Sequence, residues 1–527
     1  MLFNSSSFIF LYLPIVFIGT FFLGRHSHRL AALWLALGSL TFYSVWDVRF
    51  VWLLLSSIIF NYCAGYWIGI KRGADPTGKT SQLVLAAAIV ANLTLLAYFK
   101  YANFFIESAN QIRGNNIPAL NIILPLGISF FTFTQIAFLV DVKRGIAHEF
   151  NLIHYLLFVT YFPHLIAGPV LHHKQMMPQF SNPATYRINA EHVAVGLTIF
   201  LLGLSKKVLL ADKLAEFATP IFGALHEGAA LSLIEAWVGA LGYTLQLYFD
   251  FSGYSDMAIG LSLMFNIRLP MNFDSPYKST SIIDFWRRWH MTLSTFLRDY
   301  LYIPLGGSQK GSTRRYLNLM VTMLLGGLWH GAGWTFVIWG GLHGLYLMLN
   351  HGWRATKTRL GWRDGGRYTE LLGGALTFFA VVVAWVCFRA DSFAGAWSML
   401  SGMAGGHGLA LPESARARFT PLLATFHLHA TFNGMMPATN SGTAYAFGMI
   451  LLGLALVWFS PNVRQMLVHY KPTWEDMAGV APPTPPSRLA KYMIWKPSRT
   501  YAVALAILFI CCVDSLSKVS EFLYFRF

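Results

Sequence analysis

Long apolar runs separated by short polar or basic turns make up almost the whole chain. They begin near Phe8, Leu30, Val48, Ser81, Leu120, Leu152, Val193, Ala229, Leu245, Tyr316, Trp334, Thr369, Thr443 and Thr500. A helical run of roughly 17 to 25 apolar residues matches the hydrocarbon core of a bilayer. A transmembrane barrel needs segments of about ten residues in alternation, and these runs do not alternate. Helices also satisfy their backbone polar groups internally, as lipid demands. The pattern predicts an all-α, polytopic transmembrane helical bundle, one membrane-embedded domain over residues 1–527, with about ten to fourteen spans and partial spans. Several runs are short or hold Gly and Pro, which predicts broken or re-entrant helices around a central cavity.

Basic residues set the expected orientation. Arg25 to Arg29, Lys71-Arg72 to Lys79, and Lys143-Arg144 follow odd-numbered runs, so these turns are expected in the cytoplasm. The stretches Arg268 to Arg315 and Arg354 to Arg367 are basic again and are expected on the same side. Residues 392–442 read as a weakly charged outside loop. Residues 461–499 read as an inside loop whose Pro482-Pro483-Thr484-Pro485-Pro486 run is a stiff connector. Residues 1–7 carry no Lys or Arg, and Phe8 to Gly24 is followed by Arg25 and Arg29. That charge order is the reverse of a cleavable signal, so a retained first span starting outside is expected.

Composition agrees with a membrane protein and excludes other classes. The chain is 55% hydrophobic and 12% charged, with mean hydropathy +0.50, against roughly 25% charged residues in soluble domains. Its net charge of +16 comes from residues scattered between apolar runs, so lipid head groups are the expected partner and nucleic acid is not. Cys63, Cys387, Cys511 and Cys512 fall in expected spans without metal or pairing spacing.

The candidate chemistry lies in residues 268–350, read as the catalytic core segment. Between the two basic stretches there are only about 35 apolar residues, Tyr316 to Asn350, which at the helical rise make two short passes. Trp329-His330-Gly331 falls near their middle. The expectation is a hairpin or broken helix pair carrying His330 deep into the membrane to the end of a cavity, with Gly326, Gly327, Gly331 and Gly333 permitting the break. A charged side chain in hydrocarbon costs on the order of 2.5 kcal/mol or more, so an ionisable residue there signals function. His290 follows the basic aromatic run Asp284-Phe285-Trp286-Arg287-Arg288-Trp289. A neutral imidazole can take a proton from a hydroxyl, or carry the acyl group briefly itself, and either role suits acyl transfer to an alcohol. The donor's anionic handle then falls to the cluster Arg287, Arg288, Arg298, Lys310, Arg314 and Arg315.

Each candidate also has a plainer reading. A lone intramembrane His can hydrogen-bond between helices, and Trp-Arg-Arg-Trp-His can be an interfacial belt with snorkelling arginines. His343 lies 13 residues beyond His330, no ligand spacing, and reads as structural. His26-x-His28, His172-His173 and His427-x-His429 lack a carboxylate or Cys companion at ligand spacing, so no metal is expected. Asp250 and Asp256 could orient a histidine or pair with an arginine, and structural pairing is the expectation. Asp141 is expected in a local ion pair with Lys143 or Arg144.

Three segments carry a family resemblance: Asp284 to His290, Leu297-Arg298-Asp299-Tyr300-Leu301-Tyr302-Ile303-Pro304-Leu305-Gly306-Gly307, and Gly327-Leu328-Trp329-His330-Gly331-Ala332-Gly333-Trp334. They resemble the membrane-bound O-acyltransferases, in particular the bacterial branch that O-acetylates polysaccharides such as alginate. Leu124 to Phe133, Phe162 to Pro169 and the closing Glu521-Phe522-Leu523-Tyr524-Phe525 are similar too. The resemblance implies that His330 matches the invariant histidine and His290 a more variable second position. It implies a multi-pass protein of the bacterial inner membrane, its N-terminus periplasmic. The implied donor is a cytoplasmic thioester, acetyl-coenzyme A, with no tightly bound cofactor, and the acceptor a polysaccharide reached through a periplasmic delivery protein. Trp329 and Trp334 are expected to wall the site, and Asp284, Arg287, Arg288 and Arg298 to bind substrate. A D-alanyl transferase of teichoic acid-type polymers, a glycan transporter or flippase, and a scaffold for periplasmic enzymes are the alternatives.

Overall fold

A computed structural model describes residues 1–527 except 75–77, 167, 363–364, 426–429, 433, 435, 437–441, 478–489, 517–521 and 524–527. The Pro482 to Pro486 run and the His427-x-His429 pair lie outside the described residues, as do Glu521, Tyr524 and Phe525 of the closing motif.

The architecture is helical throughout. Its principal helices are α1 (Phe8–Gly24), α2 (His28–Ser44), α3 (Arg49–Gly73), α4 (Lys79–Arg113), α5 (Ile128–Arg144), α6 (Leu152–Thr160), α7 (Ala190–His226), α8 (Leu233–Met264), α9 (Ile282–Trp286) and α10 (Met291–Leu297). There follow α11 (Gly311–His330), α12 (Trp334–Arg359), α13 (Arg367–Arg389), α14 (Phe393–Met403), α15 (Arg416–Thr425), α16 (Thr443–Phe459) and α17 (Arg499–Ser515). Among the described residues α3, α4, α7 and α13 are long and apolar enough to cross a membrane, and α1 and α16 are shorter apolar helices. Apolar side chains such as Trp52, Leu83, Leu372, Leu376 and Ile510 stand exposed on the outer surface, as a lipid-facing bundle requires.

Buried α8 is the centre of the bundle, packed by α7, α13, α14 and α16. Its N-terminus is closed by a capping box in which Ser232 Oγ accepts from the Glu235 N–H. It crosses α7 where glycines face each other, so that a β-carbon at Gly203 would press on the Gly253 carbonyl.

The expected hairpin is present: α11 ends at His330, Gly331 and Gly333 are extended on either side of a tight turn closed by the Gly333 N–H on the Gly331 carbonyl, and α12 returns alongside α11. The return is close because a β-carbon on Gly327 would collide with the Phe336 carbonyl, and one on Gly340 with the Met323 carbonyl.

Four sequence expectations are corrected. The apolar run at Leu120 is irregular from 115 to 127, since Pro118 and Pro125 cannot donate within a helix, and the helix starts only at Ile128. The Leu152 run gives just nine helical residues, with a break at Tyr161 ahead of Pro163. The runs at Ala229 and Leu245 form one 32-residue helix, because nothing between them terminates it. Residues 392–442, read as a loop, contain α14, α15 and a parallel pairing of Leu409–Ala410 with Ala430–Thr431.

Candidate active site

His330 closes α11, and its side chain is 6% exposed. Aromatic rings surround it: Trp329 at 5.0 Å between centroids, Trp339 at 5.2 Å and Phe388 at 5.4 Å. The His290 ring lies 6.0 Å away, so forty residues of chain fold back to bring the two histidines together.

His290 is fully buried and has a left-handed backbone, φ 45° and ψ 51°, which for a residue with a β-carbon costs about 1–2 kcal/mol. The neighbouring chain imposes it. Met291 N–H donates to the Asn272 carbonyl at 3.0 Å, and Asp274 N–H to the Arg288 carbonyl at 2.9 Å, pinning both sides of the turn. Asn272, which the sequence did not single out, also fixes the ring. Val170 N–H donates to Thr292 Oγ1 at 3.0 Å, leaving the threonine hydroxyl to donate to Asn272 Oδ1 at 2.9 Å. The amide oxygen is therefore an acceptor, and His290 Nδ1, 3.1 Å from it, must carry the hydrogen. His290 Nε2 is then a lone pair, buried and with no hydrogen-bond partner.

His330 lines a small cavity of ≈ 20 Å³ together with Leu247, Asp250 and Phe251 of α8, Trp289, Trp385, Phe388, Phe522 and Leu523, enough for about one water. A cavity does lie at His330, but it is apolar and narrow rather than the substrate-admitting one expected, and neither a thioester nor a sugar fits without its walls separating. Phe522 packs on Tyr254 at 4.6 Å, and Leu523 N–H donates to Asp250 Oδ2 at 3.1 Å. A larger cavity of ≈ 230 Å³ lies between α7, α8 and α16, lined in part by Lys206, Tyr248, Ser460 and Asn462.

The other predicted residues divide. Trp329 packs at 6.2 Å from His290 as well as beside His330, stacked on Phe133 at 5.3 Å; it flanks both histidines. Trp334 does not wall the chamber: it is 54% exposed, and its Nε1 donates to Ser108 Oγ of α4 at 3.2 Å, because the turn after Gly331 directs the start of α12 outward. Arg288 pairs with Asp284 at 3.0 Å and Arg298 with Asp299 at 2.7 Å. Arg287, Lys310 and Arg314 are exposed. His343 is structural: its Nδ1 accepts from Trp286 Nε1 at 3.2 Å within an aromatic box.

The buried acids have lysine partners. Lys207 Nζ meets Asp250 at 2.6 Å and Asp212 at 2.8 Å, and Lys206 Nζ meets Asp256 at 2.5 Å. Asp141 has no local ion pair of the expected kind; it accepts from Tyr300 Oη at 2.9 Å, while Lys143 reaches Ser81 Oγ at 2.6 Å. Tyr300 Oη also lies 3.1 Å from His172 Nδ1. Among the described residues no cluster of three or more His, Cys, Asp or Glu could hold a metal.

The family model of the membrane-bound O-acyltransferases (MBOAT) matches residues 40–390, about two thirds of the chain, including both His290 and His330. The chain belongs to that family. It is 43% identical over 438 residues to a peptidoglycan O-acetyltransferase of Helicobacter pylori, covering 78% of this chain and 81% of the relative. Over the full length of both chains it is 40% identical to a probable alginate O-acetylase of Pseudomonas aeruginosa. A teichoic acid D-alanyltransferase of Bacillus subtilis is 26% identical over 52% of this chain and 71% of the relative. This MBOAT protein is therefore a multi-pass membrane O-acyltransferase, and the transporter and scaffold readings fall away.

Proposed function

We propose that this O-acyltransferase moves an acetyl group from acetyl-coenzyme A, presented on the cytoplasmic side of the bacterial inner membrane, to a hydroxyl acceptor, for O-acetylation of an extracytoplasmic polysaccharide. The observation that carries the reading is the pairing of His330, which lines a narrow apolar chamber, with the buried His290 ring 6.0 Å away. The acceptor oxygen attacks the thioester carbon, and His330 takes its proton. The carbon–sulfur bond then breaks, and the imidazolium returns the proton to the departing thiolate. His290 Nε2 offers only a lone pair, so it cannot donate to the thioester oxygen, and the single hydroxyl hydrogen goes to His330. Trp329 and the aromatic walls exclude water, which would otherwise hydrolyse the thioester.

Donor phosphates are met by Arg287, Lys310 and Arg314, since Arg288 and Arg298 already bind Asp284 and Asp299. From Arg315 to His330 the helix rises about 22 Å, a distance for the donor's flexible arm to span. The N-terminus faces the periplasm, where a delivery protein carries the group onward. The acetyl reading is preferred to D-alanyl transfer because full-length similarity runs to a relative named for O-acetylation.

Vesicles containing the full chain and loaded with acceptor test this directly. Labelled acetyl-coenzyme A supplied on the side of Arg314 should lose its label to the acceptor. Consumption of a D-alanyl carrier thioester alone would overturn the choice of donor.

A further inference from the structure

We infer that Lys100 is a positioning residue for His330, acting from a different helix through the end of α11; this rests on the proton-transfer role proposed for His330. A helix leaves its last carbonyls without intrahelical donors. Here the usual remedy, a left-handed glycine wrapping back over the last turn, is missing, because Gly331 is extended at φ −155° and ψ 148°. Gly331 N–H reaches only the Gly327 carbonyl, at 3.4 Å.

The remaining three carbonyls are satisfied by α4. Tyr101 Oη donates to the Leu328 carbonyl at 2.9 Å, and Lys100 Nζ to those of Trp329 at 2.6 Å and His330 at 3.1 Å. The third ammonium hydrogen goes to Ser129 Oγ, in the first turn of α5, at 3.3 Å. An ammonium has three donors, and all three are used. Lys100 thereby ties α4, α5 and α11 together at the residue that carries the base.

Two features indicate that this arrangement serves more than helix packing. Lys100 lies inside one of the long apolar helices, where a cation is costly and a methionine would fill the same space. It also occupies a π turn, Ala97–Tyr101, the kind of local widening that recurs at functional sites; the extra residue brings Lys100 and Tyr101 onto α11 together. The cation sits at the negative end of the α11 dipole, where it is favourable. Its consequence is a fixed last turn, so that the His330 ring keeps its place opposite His290.

The test uses the full chain in vesicles, with turnover normalised to folded protein. Lys100→Met should lower kcat about 10- to 100-fold, the penalty of a base displaced by about 1 Å, with KM for donor and acceptor unchanged within about twofold. Lys100→Arg, which keeps the charge and several donors, should recover a substantial part of that loss. Tyr101→Phe, removing one of the three bonds from α4 to α11, should cost a few-fold in kcat and holds the question open to test if Lys100→Met fails to fold. Unchanged kcat per folded molecule in Lys100→Met or in Tyr101→Phe, or equal losses in Lys100→Met and Lys100→Arg, would overturn the inference. His330→Ala measured alongside separates the two ideas: active Lys100→Met with inactive His330→Ala removes only the positioning role, whereas active His330→Ala removes the base and Lys100's role with it.

Discussion

His330→Ala should drop acyl transfer by about 10²- to 10⁴-fold, the range a positioned general base supplies, while the protein still inserts and folds. Folding should survive because the imidazole faces the chamber, and the main-chain carbonyl that Lys100 holds is untouched by the substitution. The stability loss should stay within about 3 kcal/mol, ordinary for a buried substitution. Loss of donor thioester, measured with acceptor present and scaled to folded protein, is the readout. Turnover within threefold of the parent would mean that another group accepts the proton, and the lone pair on His290 Nε2 would be the first to examine.

The largest effect on stability is expected from Lys207→Met. The ammonium lies between two carboxylates, and the side chains of Lys207 and Asp250 are 4% and 2% exposed. Removing one partner of so buried a pair strands the other charge, at a cost of about 3–5 kcal/mol. The unfolding temperature in detergent should fall sharply. Adding Asp250→Asn should restore part of it, since a neutral amide no longer needs the cation. Asp250 also lines the chamber and binds Leu523 N–H, so the single variant should lose activity beyond its loss of folded protein. An unchanged unfolding temperature would show that the pair is solvated in the bilayer.

Sequence reasoning found the part of this site that is local in the chain. The Gly-rich break after His330 and the short apolar interval around it demanded a hairpin, and the motifs singled out both histidines. It missed whatever joins distant elements. Asn272 orients a histidine 18 residues away, and Lys100 caps a helix 230 residues away. Neither contact has a periodic signature. A signal was available for the lysines: Lys100 and the pair Lys206-Lys207 interrupt otherwise apolar runs, where an ionisable group needs a partner or a task.

Trp334 failed for a different reason. Its motif position places it beside His330 in the chain, but a three-residue turn rotates it outward. Helix existence was well predicted and helix ends less so. Pro118 and Pro125 delayed the helix expected at Leu120 until Ile128, whereas Gly239 and Gly242 did not interrupt α8, since glycine weakens a helix without ending it when packing holds it.

The most direct measurement is an experimental structure of the full chain with a non-hydrolysable thioether analogue of acetyl-coenzyme A. The account predicts a widened chamber, with the analogue's acyl carbon between the His330 and His290 rings and its phosphates at the Arg287 and Arg314 face. An analogue seated instead in the cavity beside Lys206 and Asn462, with the His330 chamber still closed to all but a water, would contradict it.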